Sequence, residues 1–278
     1  MLVQCDDRPG VVAAVSTFLA HHGANITELG QFSTDPVGGR FFQRTVFHLP
    51  GFPALLDRME RDFAAIAERF DMTWSLSRAD HRKRVALMVS RYDHCLLDLL
   101  WRADRGDLPV DPVMVVSNHA VLADPVRTFG VPYFHIAVTQ DGKPAAEQAQ
   151  LELFRGNVDL VVLARYMQVL SSEFLAEVGV PVINIHHSFL PAFMGANPYA
   201  QAKARGVKLI GATAHFVTDD LDEGPIIEQV VERVDHALRP EQLLAVGRDV
   251  ESLTLARAVK AFIERRVFLN GDRTVVFS

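Results

Sequence analysis

The segment V-I-N-I-H-H-S-F-L-P, from Val182 to Pro191, contains an apolar strand that two polar residues interrupt. In a strand, residues two apart point to the same side. Asn184 and His186 would therefore project together near the carboxyl end of the strand, where open α/β sheets bind ligands. An amide beside an imidazole can polarise a carbonyl group and move a proton. Alone, such a pair is more often a set of satisfied polar groups, so the surrounding chain must decide its meaning.

Strands and helices alternate on both sides of this segment. Apolar runs predict strands at 85–89, 113–117, 133–138, 158–164, 182–186, 209–217 and 226–234. Helices are predicted from Asp93 onward and at 144–156, 167–178, 198–205 and 240–265. This alternation predicts an α/β domain with a doubly wound, mostly parallel, Rossmann-like sheet. An N-G-D turn within 267–277 predicts a hairpin at the end of the chain.

The first 78 residues have a different order of elements. Strands are predicted at 2–5, 24–33, 41–49 and 72–77, and helices at 11–22 and around 55–70. This β-α-β-β-α-β order is typical of a compact ferredoxin-like α+β domain. A polar, basic segment follows it. The sequence therefore predicts a domain at 1–78, a linker at 79–84 and a second domain at 85–278.

The composition sets broad limits on the class of protein. The 278 residues are 49 % hydrophobic and 22 % charged, which is typical of a globular protein with an ample core. The net charge of −6 gives no electrostatic signature for nucleic acid. No apolar run reaches the roughly 20 residues that span a membrane, and no secretion signal is evident. Cys5 and Cys95 are too few for a disulfide framework, so a cytoplasmic setting is expected.

A second polar block, G-A-T-A-H-F-V-T-D-D-L-D-E-G-P-I-I-E-Q, occupies residues 211–229. It places an acidic loop, residues 218–223, between two strands. Carboxylates in one loop could bind a cation, but they are commonly just solvated. Their spacing lacks the alternation and the later glutamate of a calcium loop. The chain also has no His or Cys cluster with the spacing of a tetrahedral zinc site, so no metal is predicted.

Together, the two blocks resemble the formyltransferase family that uses 10-formyltetrahydrofolate. The resemblance lies in an N-I-H-x-S-x-L-P frame and an H-F-V-x-x-x-L-D-x-G-P loop. It implies catalytic roles for Asn184, His186 and Asp222. It also implies a folate pocket beside an M-x-x-L segment and the acidic loop. The substrate-binding residues that it implies are Met167, Gln168, Val169, Leu170, His187, Thr218 and Asp219.

One feature of that family is missing from the chain. Members that make glycinamide ribonucleotide products carry a Gly-Ser-rich loop after the first strand, which holds the substrate phosphate through backbone N–H groups. Here the corresponding segment, V-S-R-Y-D-H-C-L-L-D-L-L at 89–100, contains no glycine. The chain instead resembles the members in which water replaces the amine. Arg91 and Met194 stand where lysine is frequent in the family.

This closer resemblance implies hydrolysis of 10-formyltetrahydrofolate to formate and tetrahydrofolate, without a cofactor. Water would attack the formyl carbon, and Asn184 would donate a hydrogen bond to the oxyanion. His186 and Asp222 would move protons, and the residues do not decide which of them protonates the leaving amine. Two alternatives stay open, namely transfer of the formyl group to an amine and a non-catalytic amino-acid sensor.

The other histidines near these motifs are expected to have lesser roles. In an extended chain, His187 would point away from His186 and could line the water side of the pocket. His119 and His215 are expected to be structural or to support the residues that react.

Two N-terminal segments, D-R-P-G-V-V-A-A-V-S-T-F-L at 7–19 and H-G-A-N-I at 22–26, resemble the ACT family of small-molecule sensing domains. The resemblance implies an effector site bordered by Asp7, Gly10, Asn25 and Ile26, usually at a dimer interface, with glycine or methionine as the effector. The same domain could instead serve only for dimerisation. A homo-oligomer with even symmetry is expected.

Overall fold

The computed structural model describes residues 1–190 and 204–278, which form two compact units. One unit contains Met1–His81, Glu264–Asn270 and Val275–Ser278, and the other contains Arg82–Ile263 and Gly271–Thr274. These units differ from the predicted domains at the C-terminal tail, most of which belongs to the first unit. The physical reason is aromatic packing, since Phe268 lies edge-on to Phe42 with ring centroids 5.6 Å apart.

The first unit is built on a four-stranded antiparallel sheet. Its elements are β1 (Leu2–Asp6), α1 (Val11–His21), β2 (Asn25–Ser33), β3 (Arg40–His48), α2 (Phe52–Phe70) and β4 (Thr73–Ser75). The strand order is β2-β3-β1-β4. Phe63 is fully buried between Phe18 and Trp74, with both ring-centroid distances at 4.9 Å. The predicted ferredoxin-like α+β fold is confirmed.

The second unit alternates strands and helices, and a short hairpin follows it. The elements are β5 (Lys83–Val89), α3 (His94–Arg105), β6 (Val110–Ser117), α4 (Ala123–Arg127), β7 (Tyr133–His135), α5 (Lys143–Phe154), β8 (Leu160–Leu163), α6 (Ser172–Val178), β9 (Val182–His186), β10 (Leu209–Phe216), β11 (Ile226–Arg233), α7 (Pro240–Ile263), β12 (Val267–Asn270) and β13 (Arg273–Val276). Strand β5 begins at Lys83 and therefore inside the predicted linker at 79–84.

The seven strands β5 to β11 form one sheet in the order β11-β10-β9-β8-β5-β6-β7. The five strands from β9 to β7 in that order are parallel, and β10 and β11 are antiparallel. The mostly parallel α/β sheet is therefore confirmed. After β5 the chain adds β6 and β7 on one side, and β8 and β9 then add on the other. The strand order thus reverses between β5 and β8, where such sheets open a ligand crevice at their carboxyl edge.

The helix predicted at 167–178 is wrong in its first part, because only Ser172–Val178 is helical. The backbone N–H of Met167 donates to the hydroxyl of Ser90 at 3.0 Å. Ser171 then caps α6, since its hydroxyl accepts from the N–H of Phe174. Residues 167–171 consequently remain an irregular segment at the edge of the sheet.

The helix predicted at 198–205 lies outside the described residues except for its last two positions. Met194, which stands where lysine is frequent in the family, also lies outside them. None of the described helices is long and apolar enough to cross a membrane.

Candidate active site

Two neighbouring strands bring polar side chains together at the carboxyl end of β9. Strand β10 runs antiparallel to β9, with His215 opposite Asn184 and Thr213 opposite His186. Residues that face each other across such a pair lie about 4.5–5.5 Å apart. The pairing therefore places a second histidine beside the Asn184 amide.

Four of these side chains are linked by polar contacts. Nδ1 of His186 lies 3.1 Å from Oδ2 of Asp222, and Nε2 of His215 lies 3.7 Å from Oδ1 of the same carboxylate. The amide nitrogen of Asn184 lies 3.3 Å from Nε2 of His215. The structure thus brings together the three residues that the motifs implied and adds His215. A single sequence does not show which residue of β10 faces Asn184, so His215 received only a lesser role.

The ring of His215 fixes the orientation of the Asn184 amide. Nδ1 lies 2.8 Å from the carbonyl oxygen of Phe216, which can only accept, so Nδ1 carries a hydrogen. In the neutral ring Nε2 is then an acceptor, and the amide nitrogen of Asn184 donates to it. One N–H of that amide remains to donate to an oxygen of a ligand.

Asp222 has an unusual backbone conformation that its surroundings hold in place. Its φ of 59° lies in the left-handed region, which non-glycine residues rarely adopt and which is often found at functional sites. Gly224 lets the loop approach β10 closely, because a Cβ there would overlap the carbonyl oxygen of Phe216. The N–H of Phe216 also donates to the carbonyl oxygen of Pro225 at 3.0 Å. Backbone contacts therefore set the position of the Asp222 carboxylate.

We expect Gly224→Ala to destabilise the protein by about 1–3 kcal/mol, because the added methyl group has no space against the Phe216 backbone. The free energy of unfolding in urea measures this effect. Glu223→Ala, a change at the exposed neighbouring residue, is the matched control and should leave the free energy of unfolding nearly unchanged. Equal unfolding curves for both variants would contradict the steric argument.

In the His186–Asp222 pair, the imidazole donates a hydrogen bond and the carboxylate accepts it. The hydrogen bond from His186 holds the pKa of Asp222 well below its ordinary value. Asp222 therefore stays ionised and accepts the Nδ1 hydrogen of His186. Nε2 of His186 is buried and has no hydrogen-bond partner in the described part of the chain. This nitrogen can accept a proton, and the carboxylate stabilises the imidazolium that results.

His187 lies beside His186, and the prediction that it points away is wrong. The two ring centroids are 5.2 Å apart, because β9 ends at His186 and the extended alternation ends with it. Burial lowers the pKa of His187 from its ordinary value to about 4, and the nearby positive charge of Arg165 adds to this effect. His187 is therefore a neutral ring at the edge of the site.

This lowered pKa makes stability depend on pH. The unfolded chain protonates His187 below its ordinary pKa of 6.5, whereas the folded chain does so only near a pKa of about 4. Stability should therefore fall as the pH drops through this window, by at most about 3 kcal/mol from this group and less because the ring is only half-buried. His187→Asn should reduce the fall, as measured by urea unfolding at several pH values. His135→Gln, at an exposed ring, is the control, and equal pH slopes for wild type and His187→Asn would refute the prediction.

The M-x-x-L segment lies at the end of β8, next to the end of β9 that carries His186. Met167 and Val169 are 51 % and 56 % exposed, whereas Leu170 is part of the core. Two exposed apolar side chains beside a polar cluster suit a flat ring system that carries a reactive group. Three further residues implied as substrate contacts are exposed or half-buried: Gln168, Thr218 and Asp219.

The four residues implied for effector binding do not converge within one chain. Asp7 and Gly10 follow β1, whose last residue pairs with Arg40 at the start of β3. Asn25 and Ile26 begin β2 and pair with the far end of β3. At about 3.3 Å per residue, the two pairs lie roughly 25 Å apart along the sheet. A site that includes all four residues would need a second chain.

One group of side chains outside this cluster has the composition of a metal site. Among the described residues, His94, Cys95 and Glu251 place potential ligand atoms within 4.8 Å of one another. However, Nε2 of His94 lies 2.7 Å from the Glu251 carboxylate, and Nε of Arg165 lies 3.5 Å from the same oxygen. A metal ion would have to compete with this guanidinium, so we assign no metal to the group.

Comparison with known proteins identifies both units. The family model described as formyl transferase matches residues 83–259, and the ACT domain model matches residues 1–64. The chain is 58 % identical over 278 residues to a formyltetrahydrofolate deformylase of Mycobacterium tuberculosis, which covers 100 % of this chain and 90 % of that protein. It is 50 % identical over 279 residues to the formyltetrahydrofolate deformylase of Bacillus subtilis, covering 100 % of this chain and 93 % of the relative.

A solved structure is similar over the whole chain. The crystal structure of a formyltetrahydrofolate deformylase from Burkholderia mallei superimposes with a TM-score of 0.93 at 57 % sequence identity. The match covers 100 % of this chain and 98 % of that chain. The likeness therefore includes both units and the tail.

Proposed function

The chain belongs to the formyltetrahydrofolate deformylase family, and from that premise we propose how its residues hydrolyse 10-formyltetrahydrofolate to formate and tetrahydrofolate. One observation carries the proposal. His186 donates to an ionised carboxylate at Nδ1, while its other nitrogen is buried and without a partner among the described residues. A ring in this state can take a proton from water and later return it to a leaving group.

The first step uses His186 as a general base. Nε2 takes a proton from water while the water oxygen forms a bond to the formyl carbon. Asp222 stabilises the imidazolium that forms, and its lowered pKa keeps the proton on the ring rather than on the carboxylate. Asp222 thus acts through His186.

Asn184 stabilises the charge that develops on the formyl oxygen. Its amide is oriented by His215, so one N–H is directed before the substrate arrives. A single preorganised donor to an oxyanion lowers the activation barrier by about 2.7–4 kcal/mol. We assign this role to Asn184 because it lies on the same strand as His186, two residues away.

The second step breaks the bond between the formyl carbon and N10. The oxyanion collapses, the C–N10 bond breaks, and the proton on Nε2 of His186 moves to N10. Tetrahydrofolate leaves, and the formic acid that forms ionises to formate. Of the two candidates for the proton donor, the geometry favours His186 over Asp222. Water is the co-substrate, and the proposed steps need neither a metal nor a cofactor.

The substrate residues follow from the same edge of the sheet. We assign the folate ring to the exposed segment that contains Met167 and Val169, next to His187, and to the loop residues Thr218 and Asp219. Gln168 and Leu170 support this segment, the first through a hydrogen bond to the carbonyl oxygen of Met167.

A product assay without any added amine tests the proposed function. Purified protein, 10-formyltetrahydrofolate and water should give equal amounts of formate and tetrahydrofolate. If the formyl group left only when an amine is present, the chain would be a transferase. An absence of turnover under both conditions would instead favour the non-catalytic sensor.

For the ACT domain we propose a regulatory role, with glycine or methionine as the effector and a homo-oligomer as the active form. The proposal is supported by the separation of Asp7 and Gly10 from Asn25 and Ile26, which lets two chains complete one site. Two buried, free cysteines fit a reducing, cytoplasmic setting. Calorimetry on the full chain with each amino acid should give heat for one of them, and no heat with either would refute the effector.

A further inference from the structure

A buried arginine lies at the crevice where the strand order of the large sheet reverses. Arg165 follows β8, is 9 % exposed, and has a φ of 64° in the left-handed region. Its guanidinium carbon lies 5.1 Å from the centroid of the Tyr92 ring, in a loop that follows β5. Nε and Nη1 are buried and have no hydrogen-bond partner in the ranges that the structure describes. Such orphaned donors in a crevice point to a function beyond packing.

The arginine forms an ion pair with a carboxylate that also contacts a histidine. Glu251 on α7 is 2 % exposed, and its Oε2 lies 3.5 Å from Nε of Arg165. The same oxygen lies 2.7 Å from Nε2 of His94 at the start of α3. A buried carboxylate without these partners would attract an ammonium group or an amine N–H. Here Arg165 and His94 occupy it.

This network borders the reacting centre. His187 is influenced by the charges of Arg165 and Glu251 and also by those of His186 and Asp222. It directly follows His186, the last residue of β9. The end of β8 that carries Arg165 is also the direct neighbour of β9 in the sheet. The guanidinium and the catalytic His186 are therefore carried at the ends of adjacent strands.

We propose that Arg165 is a specificity-determining residue that keeps amines away from the formyl group and leaves water as the acceptor. Nη1, which makes no hydrogen bond within the described residues, can hold a water oxygen, but the positive charge of the guanidinium repels an ammonium group. Its pairing with Glu251 removes the carboxylate that would otherwise bind an amine. The inference rests on the proposed hydrolysis and adds why water is the acceptor.

The excluded reaction is a balanced alternative to hydrolysis. The nitrogen of a neutral amine would form a bond to the formyl carbon, and His186 would take one amine proton. The C–N10 bond would then break, and His186 would return the proton to N10. The products would be an N-formyl amine and tetrahydrofolate in place of formate and tetrahydrofolate.

The ratio of these products is the test. Protein, 10-formyltetrahydrofolate and excess glycinamide are incubated at about pH 8, where much of the amine is neutral, and N-formylglycinamide and formate are quantified against a blank without enzyme. Arg165→Gly is the main variant, because glycine adopts the observed φ without strain. We expect the share of N-formyl product to rise by roughly tenfold or more over wild type. The product ratio does not depend on how much of the variant is folded.

Two further variants test the two parts of the inference separately. Arg265→Gly removes another arginine with positive φ that does not belong to this network, and it should keep the wild-type ratio. Adding Glu251→Gln to Arg165→Gly should lower the ratio again, since the freed carboxylate is what attracts the amine. If Arg165→Gly shows no turnover, Arg165→Gln must show the same rise.

Several outcomes would overturn the inference. An unchanged ratio in the Arg165 variants would do so, and so would a wild-type enzyme that already formylates glycinamide efficiently. Failure of the proposed hydrolysis can be distinguished from failure of this inference, because the wild-type protein would then release no formate in water alone.

Discussion

Asp222→Asn lowers kcat for formate release by about 10²- to 10⁴-fold, the range of a lost acid–base function. The substitution keeps the size of the side chain but removes the charge that stabilises the imidazolium of His186, whose Nδ1 lies 3.1 Å from the carboxylate. An asparagine amide can also turn its NH₂ group toward Nδ1. His186 would then carry its hydrogen on Nε2, where it cannot accept a proton from water. Steady-state kinetics on 10-formyltetrahydrofolate give the effect.

The neighbouring Asp220→Asn is the matched control, since Asp220 is in the same loop but exposed. It should retain nearly the wild-type kcat, and both variants should unfold at similar urea concentrations. A wild-type rate for Asp222→Asn would show that the carboxylate plays no part in the proton transfer.

Asn184→Ala is expected to lower kcat by about 10²- to 10³-fold, which corresponds to the loss of one oxyanion donor. Because the donor acts on charge that is present only in the transition state, binding of tetrahydrofolate should change little. The split between kcat and KM is therefore the informative measurement. A large rise in KM with a normal kcat would instead make Asn184 a contact to the bound ground state. Gln168→Ala, which removes an amide from the substrate segment, is expected to show the reverse pattern.

The core of the candidate site could be predicted because its signals are local. Asn184 and His186 are two residues apart in one strand, and strand periodicity alone places them on one side. Asp222 is marked by the L-D-E-G-P loop that its family shares. The sequence predicts only a lesser role for His215, because its position depends on the antiparallel register between β10 and β9, which no residue pattern in either strand records.

Other features depend on contacts between distant parts of the chain. Arg165 and Glu251 are separated in sequence by three strands, β9 to β11, and only the folded sheet brings the end of β8 against α7. The tail offered a clear hairpin signal at Asn270 and Gly271, which β12 and β13 confirm. That signal does not say which unit the hairpin packs with. The start of α6 differs from the prediction because Ser171, which the distant Glu147 carboxylate holds in place, caps the helix.

The irregular segment 167–171 is tied down at both ends. At one end Ser90 accepts from the N–H of Met167, and its own hydroxyl donates to the side-chain oxygen of Asn118 at 2.7 Å. At the other end the Glu147 carboxylate accepts from both the N–H and the hydroxyl of Ser171. The conformational entropy of this segment is therefore lost when the chain folds rather than when the folate arrives, which favours tight binding. In hydrogen–deuterium exchange, the amides of Met167 and Ser171 should already be protected in the free enzyme and should gain little further protection from the substrate.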